Sequence, residues 1–229
     1  MKKYFVSAML GLCITIPAVS QSAPPASFEE KISYSMGFEV GNYFKGAGGD
    51  IQQEFLIKGI EDAYKGATPA LTQEEMIAIQ KEFAQKMQAQ QLVKMEEMKA
   101  QNIAAGATYL EENKKKEGVI VTESGLQYQV LKEGEGEKPQ ATDKVKVEYA
   151  GTLIDGTEFD STAQHGEPAQ FQVDQVIKGW GEALQLMKVG TKLHLVIPSE
   201  LAYGENGAAP KIQPNSVLIF DVELISIEK

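Results

Sequence analysis

The apolar residues of this chain change their period once, near residue 117. Before that point they recur every three or four positions, as on a helix; after it they alternate, as on a strand. Helical and strand periods in separate blocks give the α+β order: a helical region first, then a mainly antiparallel sheet. The expected divisions are a leader over 1–20, a helical region over 21–71, a long connecting helix over 72–117 and a sheet domain over 118–229.

Three helix starts are legible in the first block. Ser27 with Glu30 fits a capping box, and so does Thr72 with Glu75. Asp50, after Gly46-Ala47-Gly48-Gly49, is placed to cap a middle helix. The expected helices are 28–45, 51–65 and 73–116, the second and third parted by Gly66-Ala67-Thr68-Pro69. Helix one repeats small residues every four positions, at Ser33, Gly37 and Gly41, beside Ile32, Met36, Val40 and Phe44. Each glycine in a helix costs about 1 kcal/mol, so a pair invites an explanation. Close approach of another helix supplies one, from this chain or from a second copy. Helices one and two together are too short to enclose a core alone. Homodimerisation through residues 28–66 is therefore the preferred reading.

Helix three is expected to run about 65 Å at 1.5 Å per residue. Met76, Ile79, Phe83 and Met87 stripe its start; Leu92, Met95, Met98, Ile103 and Leu110 continue the stripe less regularly. The stripe is too broken for a long coiled coil. Its methionines suit either ordinary packing or an adaptable surface for unfolded chains. Lys114-Lys115-Lys116 reads as a solvated, dipole-matching helix end.

Composition narrows the function. With 24% charged and 43% hydrophobic residues among 229, the chain is neither disordered throughout, fibrous, nor a multi-span membrane protein. It carries 22 basic and 32 acidic residues, a formal charge of −10, and every basic residue is lysine. Nucleic acid is a poor partner for such a chain, and no guanidinium is present to clamp phosphate. Met1-Lys2-Lys3, the apolar run Tyr4 to Val19 and the small residues Ala18-Val19-Ser20 describe an export signal, with cleavage expected between Ser20 and Gln21. The expected location is the periplasm, outer membrane or cell surface. Cys13 is the only cysteine and lies in that leader. The mature chain then offers no thiolate chemistry. His165 and His194 lie far apart in dissimilar contexts, which argues against zinc.

In the second block the alternating sets are Leu126, Tyr128, Val130; Val145, Val147, Tyr149; Leu193, Leu195, Ile197; and Val217, Ile219, Asp221. Asp155-Gly156 is a hairpin turn, and one short helix is expected near 181–187. Several ordered motifs run through this sheet: Val147-Glu148-Tyr149-Ala150-Gly151-Thr152-Leu153, Asp155-Gly156-Thr157-Glu158-Phe159-Asp160-Ser161, Val176-Ile177-Lys178-Gly179-Trp180, Leu201-Ala202-Tyr203-Gly204 and Asn215 to Leu224. Across 120–229 they resemble an FKBP-type peptidyl-prolyl cis–trans isomerase domain. The stretch Ile32-Ser33-Tyr34-Ser35-Met36-Gly37 and the long third helix resemble the exported macrophage infectivity potentiator (Mip) group of that family.

The resemblance implies a sheet wrapped around one short helix and no cofactor. It implies proline-containing polypeptides as substrates, a homodimer, and macrolides as inhibitors. By position it implies catalytic roles for Tyr149, Phe159, Asp160, Trp180, Tyr203 and Phe220, with Trp180 as the floor of the pocket. Val176, Ile177, Phe171 and Ile212 are implied to bind the substrate. Taken one at a time, each of these aromatics reads more readily as core than as site; only the ordered set of motifs favours the cleft. Proline isomerisation needs no nucleophile, only an apolar cleft that strips water from a polar, planar amide. The chain departs from the family at Ala169, which opens one wall, and at Ala208 and Lys211 in the loop after Tyr203. A rival reading makes the protein mainly a dimeric holding chaperone. A role as a virulence-associated surface protein rests on group membership alone.

Overall fold

The structure is a computed structural model that describes residues 23–47 and 51–228. The expected leader over 1–20 and the expected cap Asp50 lie outside the described residues. Two compact units are present, dividing between Met87 and Gln88.

The first unit holds α1 (Phe28–Ala47), α2 (Gln53–Tyr64) and the start of α3 (Gln73–Asn113). Both expected capping boxes form. Ser27 Oγ accepts from the Glu30 N–H at 3.1 Å while the Glu30 carboxylate accepts from the Ser27 N–H at 3.0 Å. Thr72 and Glu75 exchange the same pair of bonds at 2.8 and 3.2 Å. These reciprocal bonds satisfy two N–H groups that a helix start otherwise leaves open. At α2 the N-cap is Gln52, with no side-chain bond to the helix. Among the described residues no helix is long and apolar enough to cross a membrane.

The second unit is a seven-stranded antiparallel sheet. Its strands are β1 (Val119–Val121), β2 (Gln127–Lys132), β3 (Lys144–Leu153), β4 (Glu158–Ser161), β5 (Ala169–Gln172), β6 (Lys192–Ile197) and β7 (Leu218–Glu228). They lie in the order β1-β2-β6-β7-β3-β4, and β5 pairs the first half of β3 beside β4. A one-turn helix, α4 (Thr162–His165), follows β4, and α5 (Lys178–Leu186) lies between β5 and β6. Asp155-Gly156 turns β3 into β4 as expected: the Gly156 N–H donates to the Leu153 carbonyl at 3.0 Å.

One face of the sheet packs on α5. Val145 and Val147 of β3, Leu193, Leu195 and Ile197 of β6 and Leu218, Phe220, Val222 and Leu224 of β7 close around Trp180, Ala183, Leu184 and Met187. The inward set of β7 is one residue out of step with the expected Val217, Ile219, Asp221. Val217 is buried for another reason. It precedes the strand and meets Gly106 of α3, where an added Cβ would stand 2.8 Å from Val217 Cγ2.

That meeting bears on where the sheet domain begins, expected at 118. The last turns of α3 dock onto the sheet, so the compact unit begins at Gln88. Asn102 Nδ2 donates to the Pro214 carbonyl at 2.8 Å. Gln127 donates to the Leu110 carbonyl at 3.0 Å and accepts from Asn113 at 3.0 Å, both side chains being buried. Val196 pairs with Gln127 and is buried on that same outer face. The docking face of α3 is therefore Asn102, Gly106, Leu110 and Asn113, while Ile103 of the expected apolar stripe stays exposed. Two amides, a glycine and the backbone carbonyl of Leu110 make this contact, which hydrophobic periodicity does not register. The helix stops three residues short of the expected 116. Lys114 pairs with Glu111, and Lys116 lies over the Tyr109 ring at 5.6 Å.

Two substitutions test the docking. Gly106→Val forces the helix off Val217, and Gln127→Leu strands the buried Asn113 amide. Each is expected to cost about 1–3 kcal/mol. Urea unfolding followed by the fluorescence of Trp180, the only tryptophan, reads the sheet domain alone. Lower midpoints are expected for both variants; unchanged midpoints contradict the docking.

Candidate active site

Trp180 lies in the first turn of α5, only 4% exposed. The turn is begun by the Ile177 carbonyl, which accepts from the N–H groups of Trp180 and Gly181 at 3.0 Å each. Three rings meet around the indole. Tyr149, Phe171 and Phe220 stand edge-on to it, with centroids at 5.2, 5.6 and 5.2 Å. Phe159 packs edge-on to Phe220 at 5.4 Å. Edge-to-face geometry sets the positive rim of one ring against the negative face of the next.

The sheet makes this cluster possible at Gly151. It sits on β3 between Asp160 of β4 and Phe220 of β7. A methyl group there would stand 2.7 Å from both Phe159 and Phe220. Only glycine lets the two rings close over the strand.

The cluster is not sealed. Tyr149, Phe171, Val176 and Ile177 are half-buried at its margin, and Tyr203 is 43% exposed. Phe159, Phe220 and Ile212 are buried within the core. Ala208 and Ile212 bridge each other across the loop after Tyr203 through paired backbone bonds of 2.8 and 2.9 Å. The Trp180 indole Nε1 is the one buried side-chain polar atom among the described residues without a partner. Such an orphan costs about 1–3 kcal/mol, and native proteins tolerate few.

One polar group interrupts the apolar patch. The Tyr149 hydroxyl donates to Asp160 Oδ2 at 2.6 Å, and His165 Nε2 lies 3.0 Å from Oδ1. Burial disfavours the Asp160 anion, but the bonds from Tyr149 and His165 and the His165 charge outweigh it, so its carboxyl lies below the ordinary range. The Tyr149 phenol is pushed well above its usual range, first by burial and then by its bond to Asp160. Tyr149 is thus a protonated donor and Asp160 a charged acceptor. No group here is placed as a nucleophile. Among the described residues no cluster of three or more metal-ligating side chains occurs.

All the site residues expected from sequence fall in this region. Asp160 is on β4, paired with Gly151. Three other residues contribute that the expected site set leaves out. Thr162 Oγ1 bonds both the N–H and the carbonyl of Tyr149, at 3.2 Å each. Lys211 Nζ donates to the Phe159 carbonyl at 2.6 Å, tying the loop after Tyr203 to β4. His165 is the third; its five-residue spacing from Asp160, closed by Gly166, was the available signal. Ala169 stands opposite Val147 on β5.

Comparison with known proteins accounts for both units. Residues 29–130 match the model of the domain amino terminal to FKBP-type peptidyl-prolyl isomerase, and residues 135–225 match that of the FKBP-type peptidyl-prolyl cis-trans isomerase itself. The outer membrane protein MIP of Legionella longbeachae is 42% identical over 228 residues, 99% of this chain and 98% of that one. The FKBP-type 22 kDa peptidyl-prolyl cis-trans isomerase of Escherichia coli (strain K12) is 46% identical over 202 residues, 88% of this chain and 96% of that one. The crystal structure of FkpA from Escherichia coli superposes with a TM-score of 0.74 at 40% identity, covering 88% of this chain and 97% of that one. An aromatic patch with one acidic interruption, on a sheet joined to the Mip and FkpA type of helical region, places this chain in the FKBP-type peptidyl-prolyl cis–trans isomerase family.

Proposed function

We propose that the patch around Trp180 is where this isomerase turns X-Pro bonds in exported polypeptides. Tyr149, Phe159, Asp160, Trp180, Tyr203 and Phe220 act at the rotating amide. Val176, Ile177, Phe171 and Ile212 seat the chain on either side of it. The observation that carries this reading is the edge-on packing of three rings around a buried indole, beside a single ionised carboxylate.

The chemistry follows from the amide. Its barrier of about 18–20 kcal/mol is lost resonance. Resonance puts negative charge on the carbonyl oxygen, and water solvates that planar form best. Moving the amide onto Trp180 removes the water and with it part of the preference for planarity. The Asp160 anion works in the same direction, because it repels a negative carbonyl oxygen more than the less polar twisted one. Ile177, whose own N–H has no backbone acceptor among the described residues, offers a donor to the substrate backbone. Macrolide inhibitors would compete for the same surface.

The helical unit serves as a dimerisation region through residues 28–66. Phe28, Tyr34, Met36, Phe38 and Tyr43 of α1, with Phe55, Ile57, Ile60 and Tyr64 of α2, are exposed large hydrophobics. A patch of this extent on one chain favours association. Gly37 and Gly41 have no neighbour within 4 Å of an added Cβ among the described residues, so the close approach they permit is left for a second copy. The same apolar supply, with exposed Met95 of α3, supports holding of unfolded clients alongside isomerisation. Export to the periplasm or outer surface rests on the leader-like residues 1–20 and on the outer-membrane name of the Legionella relative.

Three measurements test these roles. In an X-Pro peptide assay, Trp180→Ala and Asp160→Ala are each expected to lower kcat/KM roughly tenfold, about 1.4 kcal/mol of barrier; wild-type rates overturn the site. Light scattering should report a dimer for the mature chain and a monomer for the Gly37→Leu, Gly41→Leu double variant; an unchanged dimer moves the interface elsewhere. Residues 21–117 alone should suppress aggregation of a reduced client, and a fragment without effect removes the holding activity.

A further inference from the structure

The loop that follows Tyr203 is a closed unit tied on two sides. Its stem is the bond from the Asn215 N–H to the Gly204 carbonyl at 2.8 Å, and its waist is the pair of bonds between Ala208 and Ile212 at 2.8 and 2.9 Å. The returning arm packs tightly on the outgoing one: an added Cβ on Gly207 would stand 2.5 Å from the Ile212 carbonyl oxygen. A unit bonded and packed this way moves as one piece. Whatever fixes its returning arm therefore also fixes Ile212 at the waist and Tyr203 just before the stem. On the side of β4, Lys211 Nζ donates to the Phe159 carbonyl at 2.6 Å. On the side of α3, Asn102 Nδ2 donates to the Pro214 carbonyl at 2.8 Å and lies 3.4 Å from Gln213 Oε1. A carbonyl only accepts, so the Asn102 amide must turn its nitrogen to the loop. A cavity of about 240 Å³, lined by Asn102, Leu153, Asp155, Gln213 and Val217, lies beside this second tie. The loop has room to move there once the tie is cut.

We propose that Asn102 is a positioning residue for the isomerase reaction: from the long helix it holds the loop that carries Tyr203 and Ile212 in place for the substrate. The inference rests on the reading that puts Tyr203 and Ile212 at the bound peptide. Asn102 itself acts through Pro214 and belongs to α3, outside a sheet domain counted from 118. The sign of its effect follows from conformational entropy. A loop already held in position is bound without further ordering, whereas a loosened one must be ordered as the peptide seats, which weakens binding. That cost is incurred once, on binding, and is common to the planar and the twisted amide. It therefore falls on KM rather than on kcat. The net worth of one hydrogen bond sets its size, about two- to tenfold.

Two variants of the full mature chain test this. Asn102→Ala removes the donor but improves helix propensity, so α3 itself is not weakened. Asn102→Asp keeps the shape and sets a carboxylate against the Pro214 carbonyl. In a solvent-jump assay on an X-Pro tetrapeptide, KM should rise about two- to tenfold in Asn102→Ala and at least as much in Asn102→Asp, with kcat within about twofold of wild type. Amide hydrogen exchange followed by NMR should quicken at Ala208, Ile212 and Asn215 and stay at the wild-type rate in β3 and β7. An unchanged or lower KM overturns the inference, as does a fall in kcat at constant KM. Exchange quickened throughout the sheet, with a parallel loss of Tm, assigns the effect to stability and also overturns it. Trp180→Ala separates the two readings. If it retains full activity, the site assignment fails; if it loses activity while the Asn102 variants follow wild type, only the role of Asn102 fails.

Discussion

Burial of one indole organises the sheet domain. Trp180 is large and sits in the first turn of α5, so the helix can reach the sheet only if three other rings open a socket for it. Tyr149 from β3, Phe171 from β5 and Phe220 from β7 provide that socket edge-on. Those strands are not neighbours in sequence. They converge because β3 pairs with β5 on one side and β7 on the other. The same packing builds the core and leaves a water-poor surface at its margin. Core and proposed site are one structure here, which explains why each aromatic taken singly reads first as core.

The polar part of the site is a chain of dependencies. Gly151 lets Phe159 and Phe220 close over β3. That places β4 so that Asp160 meets the Tyr149 hydroxyl at 2.6 Å. Thr162 ties the turn after β4 back to Tyr149, and His165 takes the second carboxylate oxygen. Lys211 fastens the loop after Tyr203 to the carbonyl of Phe159. The loop is also held from behind, where Asn102 of α3 donates to Pro214. The last turns of the long helix are thus part of the catalytic unit's own frame.

Much of this is legible in the residues. The capping boxes at Ser27 and Thr72 are local, so spacing alone reveals them. The Asp155-Gly156 hairpin is likewise local. The sheet domain emerges from the order of several motifs, and the family match over 135–225 agrees with it. What escapes is what depends on meetings between distant segments. Val217 looks like part of the β7 alternation but is apolar because Gly106 lies against it. Gln127 and Asn113 are buried polar residues whose partners lie fourteen or more positions away, and polarity alone would send them to the surface. His165 is solvent-exposed, and only the turn of α4 reveals that it reaches Asp160.

The central claim is that a proline-preceding amide rotates while lying on Trp180. Exchange spectroscopy on a short X-Pro peptide with isotope-labelled protein tests it in one sample. The account predicts that cis–trans cross-peaks of the peptide grow with added protein while the Trp180 indole N–H resonance shifts saturably with added peptide. Accelerated exchange with that resonance unmoved would contradict it.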